Sequence, residues 1–130
     1  MNASSIAGAI GIIALSALPA FAQAEVKTIA AKGGETVDLM PVYGARNCRS
    51  TLLATPEVEV LQGPPEVKLS VREEMVTPKN CAAKIKGGVV VATIAALTKP
   101  VDGKLTFRVK YKAKDGDHQV GHVYTVALVP

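Results

Sequence analysis

The side chains with the most chemistry to offer fall in three places. Asp115-Gly116-Asp117-His118-Gln119-Val120-Gly121-His122 holds both histidines of the chain and is the one stretch where metal-ligating residue types cluster. If it is a strand, His118 and His122 share a face but stand about 13 Å apart at ~3.3 Å per residue. Metal–nitrogen bonds of about 2 Å would then require the strand to break. The second place is the pair Cys48 and Cys81, the only cysteines. Arg46 and Arg49 flank Cys48 and would lower a thiol pKa; in an oxidising compartment the same two residues would close a disulfide. The third is a basic row, Lys104, Arg108, Lys110, Lys112 and Lys114, with no acidic residue between 104 and 114.

On a strand, alternate members of that row lie about 6.6 Å apart. This is shorter than the screening length of roughly 8 Å at physiological salt, so the charges would act together on an anionic partner. Two other uses of the row are open: Glu57 and Glu59 could neutralise it from a neighbouring strand, or its lysines could guard a sheet edge. Nucleic acid is not expected as the partner, because Phe107 and Tyr111 alternate onto the opposite face and no aromatics are interleaved with the cations.

Enzymatic signatures are missing. The sequence has no Gly-x-Ser-x-Gly, His-Glu-x-x-His, P-loop or dinucleotide fingerprint. Glu73-Glu74 is the only adjacent carboxylate pair, and neighbours on a strand point to opposite faces. The expectation is a non-enzymatic protein without a cofactor.

No charged side chain occurs in residues 1–24, and Ile6–Leu18 is an apolar run followed by Pro19 and the small-x-small site Ala20-Phe21-Ala22. This reads as a signal peptide over residues 1–22, cleaved before Gln23, and predicts a periplasmic or secreted protein that does not span the membrane after cleavage. An uncleaved N-terminal anchor is the alternative, although Pro19 and Gln23 interrupt a span that needs about 20 apolar residues. Removing 22 of the 130 residues leaves 108, enough for one domain over residues 23–130. The mature part carries the whole formal charge of +4, and 48% apolar residues exclude a disordered chain. Export makes the Cys48–Cys81 disulfide the simplest use of the two thiols.

Pro and Gly punctuate this domain too often for long helices: Gly33-Gly34, Pro41, Gly44, Pro56, Gly63-Pro64-Pro65, Pro78, Gly87-Gly88, Pro100, Gly103 and Gly116. The segments between are rich in Val, Ile, Leu, Thr and Tyr, which is the all-β pattern. Strands are expected at about 25–31, 35–42, 50–54, 57–62, 66–72, 88–97, 103–113 and 119–129, with loops around Cys81 over 73–86. Glu57–Val60 and Val67–Arg72 alternate strictly, giving each one buried face, whereas Val89–Leu97 is apolar throughout and suits a central strand covered on both sides. Placing Asp115-Gly116 at the tip of a terminal hairpin predicts paired residues that sum to 231, such as Phe107 with Tyr124. The expected core holds Phe107, Val109, Tyr111, Tyr124, Val126, Leu69, Val71, Val89 and Val91.

This ending, Gly103-Lys104-Leu105-Thr106-Phe107-Arg108-Val109, an Asp115-Gly116 turn, then Tyr124-Thr125-Val126-Ala127-Leu128-Val129, resembles the terminal hairpin of bacterial immunoglobulin-like sandwiches. The resemblance covers about a quarter of the mature chain and implies an all-β, immunoglobulin-like two-sheet sandwich of seven or eight strands; a small β-barrel is the alternative. The antibody-type Cys…Trp…Cys arrangement is absent, since the chain has no Trp. The Asp-Gly-His-rich closing segment is similar to that of periplasmic copper carriers of the CopC type, which would make Asp117 and His118 candidate ligands. Those carriers use an N-terminal His, where this chain would present Gln23. The leading expectation is an exported envelope module that binds a protein, or an anionic lipid or polysaccharide, through a sheet face carrying Lys104, Arg108, Lys110, Lys112 and Lys114; a copper carrier is the runner-up.

Overall fold

The unbroken apolar run Val89-Val90-Val91-Ala92 lies in the middle of a sheet, buried on both sides. The computed structural model describes residues 27–130; the signal peptide expected over residues 1–22 and its expected cleavage site lie outside them. Nine strands follow in chain order: β1 (Lys27–Lys32), β2 (Thr36–Val42), β3 (Ala45–Arg46), β4 (Arg49–Ser50), β5 (Glu57–Gln62), β6 (Val67–Val76), β7 (Ile85–Ile94), β8 (Val101–Ala113) and β9 (Gly116–Val129). A four-stranded sheet in the order β1-β9-β8-β5 packs on a three-stranded sheet in the order β2-β7-β6, and β3 pairs with β4 as a short ribbon. The result is an all-β two-sheet sandwich and not a closed barrel. All neighbours are antiparallel except β1, which runs parallel to β9 from Lys27 opposite Tyr124 to Lys32 opposite Val129.

Period-2 alternation places one face of each strand between the sheets. From one sheet come Ile29, Leu105, Phe107, Val109, Tyr124, Val126 and Leu128; from the other come Val67, Val90, Ala92 and Ile94, with Leu69 and Val71 packed against them. Phe107 is fully buried and lies beside Tyr124 and His122, with ring centroids 5.6 and 5.4 Å away.

Val89 and Val91 are buried, but not in this core. They lie on the outer face of β7 in a second cluster with Val76 and Tyr43. Their cover is polar: Arg72 on β6 sits opposite Val89, Asp38 on β2 sits opposite Val91, and the guanidinium reaches across β7 to hold both Asp38 carboxylate oxygens at 2.9 and 3.1 Å. Arg72 also donates from Nε to Glu74. This fork keeps the Asp38 carboxyl below the usual aspartate range.

The terminal hairpin forms in a register two residues from the expected one. Val101 faces Leu128, Phe107 faces His122 and Ala113 faces Gly116, so the pairs sum to 229. A shift of two leaves every side chain on its expected face, so the apolar partition could not detect it. The turn residues are Lys114-Asp115, neither with positive φ, and Gly116 follows at φ 128°. Gly116 thus follows the turn as the first residue of β9, opposite Ala113, rather than sitting inside a primed two-residue turn. Other boundaries differ as well: β7 ends at Ile94 rather than 97 and β9 starts at Gly116 rather than 119. β6 runs to Val76 and β7 starts at Ile85, which confines the loop around Cys81 to 77–84, and the expected strand at 50–54 is reduced to β4 and a bridge from Leu52 to Ala113.

Candidate functional site

The end of the sandwich that carries the β8–β9 turn also gathers the β3–β4 ribbon and the 77–84 loop. The ribbon turns through Asn47 and Cys48 at φ 53° and 59°, the two positive values a type I′ turn requires. Cys48 forms a disulfide with Cys81, with Cα atoms 5.6 Å apart, so no described cysteine is a free thiol. Other ties surround it. Ser50 Oγ donates to the Lys86 carbonyl at 3.0 Å, and the Lys79 N–H donates to Tyr43 Oη at 3.1 Å. The backbone of Thr51–Leu53 bonds to that of Lys112 and Lys114 at 2.9 Å. Ribbon, loop and hairpin tip are thereby fastened together.

This fastening has an electrostatic consequence. Segments 43–53, 73–86 and 112–117 contain Arg46, Arg49, Lys79, Lys84, Lys86, Lys112 and Lys114 against Glu73, Glu74, Asp115 and Asp117. Seven cations face four carboxylates, an excess of three within a chain whose net charge is +4. Lys86 is taken up by Glu73 at 3.1 Å. Among the described residues Arg46, Arg49, Lys79, Lys84, Lys112 and Lys114 make no ion pair within 4 Å. A cavity of about 340 Å³ opens between ribbon and hairpin, lined by Tyr43, Arg46, Tyr111, Lys114, Asp115 and His118 among others.

The basic row divides into two parts. Glu57 and Glu59 on β5 stand directly opposite Lys110 and Arg108. Glu59 Oε1 lies 3.2 Å from Lys110 Nζ and 2.9 Å from Arg108 Nε, the latter off the line of a hydrogen bond and so chiefly a Coulombic contact. Lys110, with Arg108 beside it, keeps the Glu59 carboxyl below the usual glutamate range. Arg108 also donates to Gln119 Oε1 at 3.2 Å. The neutralising arrangement anticipated for Glu59 is therefore present at the middle of the row. Lys112 and Lys114 belong to the cationic end, and Lys104 lies exposed toward the other end of β8.

Asp117 and His118 are successive residues of β9 and so point to opposite faces. The imidazole of His118 stacks on Tyr111 at 4.8 Å and donates from Nε2 to Asp115 Oδ1 at 3.0 Å. That bond holds the Asp115 carboxyl below its ordinary range. His122 is half-buried beside Phe107, and burial together with the Lys27 charge lowers its pKa, favouring the neutral ring. Among the described residues no three His, Cys, Asp or Glu side chains converge as a metal site would require. No helix among them is long and apolar enough to cross a membrane.

Residue-by-residue reading of the row missed Arg46, Lys79, Lys84 and Tyr43 as parts of one surface. The signal was there: Arg46-Asn47-Cys48-Arg49 and Lys79-Asn80-Cys81-Ala82-Ala83-Lys84 each wrap a cysteine in cations, so joining the cysteines joins the cations. Compared with known proteins, the sequence matches no family model and no curated protein.

Proposed function

We propose that this chain is a non-enzymatic binding module of the cell envelope, an immunoglobulin-like sandwich whose disulfide-tied end engages an anionic envelope component. The disulfide supports a place in an oxidising, extracytoplasmic environment. The strand order supports the immunoglobulin-like reading. β2-β7-β6 and β9-β8-β5 correspond to the B-E-D and G-F-C sets of a constant-type domain, with the first strand moved beside the last. One observation carries the function: six cations without an ion pair among the described residues, contributed by three separate segments, are held on one end by a covalent bond and backbone hydrogen bonds. Long-lived clustering of like charge opposes stability and is useful where it meets the opposite charge. The anion-binding residues are thus Lys112 and Lys114 of the original row, joined by Arg46, Arg49, Lys79 and Lys84, while Arg108 and Lys110 are occupied by Glu59.

The test is binding to phosphatidylcholine vesicles containing one third phosphatidylglycerol, over a salt series. Near an anionic bilayer each Lys or Arg is worth about 1 kcal/mol, so neutralising Lys112 and Lys114 to Gln should remove about 2 kcal/mol, roughly thirtyfold in affinity. Binding should also fall steeply with salt. Absence of binding by the parent protein at low salt, to these vesicles and to lipopolysaccharide alike, would overturn the proposal.

A further inference from the structure

β1 pairs with only the last six residues of β9, from Tyr124 to Val129. Among the described residues the first eight of β9, Gly116–Val123, have β8 on one side and no strand on the other. This leaves about 25 Å of open sheet edge. The other edges carry guards: Pro41 on β2, a register irregularity near Leu61 on β5, Lys68, Arg72, Glu73 and Glu74 on β6, and Lys27 and Lys32 on β1. Gly116-Asp117-His118-Gln119-Val120-Gly121-His122-Val123 has no Pro, Lys or Arg. Gly121 is also unexplained by the fold. Its φ is not positive, and a Cβ there would meet nothing within 4 Å. A glycine inside a strand can mark the close approach of another backbone.

The edge borders an apolar cleft. Between β2 and β9 a cavity of about 170 Å³ is lined by Met40, Pro41, Val42, Tyr43, Tyr111 and Val120, with Val109 and His122 at its base. Val120, which lines the cleft, is 44% exposed. Cations stand at both ends: Lys27 Nζ lies 5.8 Å above the Tyr124 ring, and Arg46 and Lys114 line the neighbouring cavity. Of the two carboxylates at that end, Asp115 is held by His118, and Asp117 lies exposed on the edge itself.

We propose that this edge receives an extended, carboxylate-bearing segment of a partner protein as an added strand beside β9. Main-chain bonds to Gly116–Val123 supply affinity, alternate apolar side chains enter the cleft, and carboxylates at the segment's ends meet Lys27 and Lys114. The inference is separate from the binding of an anionic surface component, since it needs backbone pairing and not charge alone.

The probe is the peptide acetyl-Asp-Val-Thr-Val-Thr-Val-Asp-amide, titrated into isotopically labelled protein by NMR. Alongside it go a version with both Asp replaced by Lys and two versions N-methylated at alternate residues, one in each phase. The expected result is shift changes confined to Gly116–Val123, the cleft residues, Lys27 and Lys114, with slowed amide exchange on that edge. At least tenfold weaker binding is expected for the Lys version and for the N-methylated version whose donors face β9. Val120→Lys should weaken binding as much while leaving the spectrum folded, because that side chain is already half in solvent. Equal binding by all N-methylated versions, shifts scattered over the cationic end, or no shifts at millimolar peptide would overturn the proposal. Protection of Gly116–Val123 without peptide would also overturn it, assigning the edge to residues ahead of Lys27 if the protein is monomeric, or to a second copy if it is dimeric.

Discussion

Removing the Cys48–Cys81 bond should cost more than its place in an exposed turn suggests, and the backbone at Cys48 makes the effect divisible. In the chain-entropy description, opening a 33-residue loop destabilises by about 3–4 kcal/mol. A second contribution comes from Cys48 itself, whose φ of 59° is a left-handed conformation that a side chain with a Cβ adopts at a cost of about 1 kcal/mol. Cys48→Ala/Cys81→Ala should therefore lose about 3–4 kcal/mol, and Cys48→Gly/Cys81→Ala about 1 kcal/mol less, because glycine needs no such cost. Urea titrations at a slope of about 1.5 kcal/mol/M should place the alanine midpoint roughly 2–2.7 M below the oxidised parent and the glycine midpoint about 0.7 M above the alanine one. Amide exchange should accelerate first in 45–50 and 77–84, where Ser50–Lys86 and Tyr43–Lys79 alone would hold ribbon to loop. Equal stability of the oxidised and reduced parent would refute the entropic argument. A glycine variant less stable than the alanine one would refute the assignment of cost to the turn.

Three other outcomes follow from the same geometry. Asp38→Asn should lower stability at neutral pH, and the deficit should shrink in acid. The folded-state pKa of Asp38 lies below its unfolded value, so the stabilisation is fully present above the ordinary aspartate range and is lost as pH falls through the folded value, as denaturation midpoints between pH 7 and 2 would record. Glu59→Gln should free Arg108 and Lys110 and tighten binding to the anionic vesicles several-fold, with little change in the urea midpoint because the pair is solvent-screened. Phe107→Ala should destabilise by about 3–5 kcal/mol in the same assay, since its ring is fully buried between the sheets.

Strict alternation made the buried face legible in two strands but not in Glu57–Val60, where Val60 is 44% exposed. Val67–Val71 and Leu105–Val109 announce which face is buried, and the structure buries or packs those faces against the core. Register was not legible, because pairing sums of 231 and 229 put the same residues on the same faces; turn geometry decides, and an Asp-Gly dipeptide serves equally inside a primed turn or as the last turn residue followed by the first residue of the strand. Nor could an apolar run show which of its two faces lies between the sheets. Val89 and Val91 lie beneath a salt bridge whose partners, Asp38 and Arg72, are 34 residues apart. For the candidate site, the cations were visible one by one and Glu59 was a foreseeable neighbour of Arg108 and Lys110. Their division into a neutralised middle and a free end depends on two long-range facts, the β5–β8 register and the covalent joining of two basic segments.

The most direct test of the central claim is a lysine acetylation footprint read by mass spectrometry, with and without lipopolysaccharide at low salt. Binding through the disulfide-tied end predicts protection of Lys79, Lys84, Lys112 and Lys114, with Lys32, Lys68 and Lys99 labelled as fast as in the free protein. Protection centred on Lys32, Lys68 and Lys99, or spread evenly over all lysines, would contradict it.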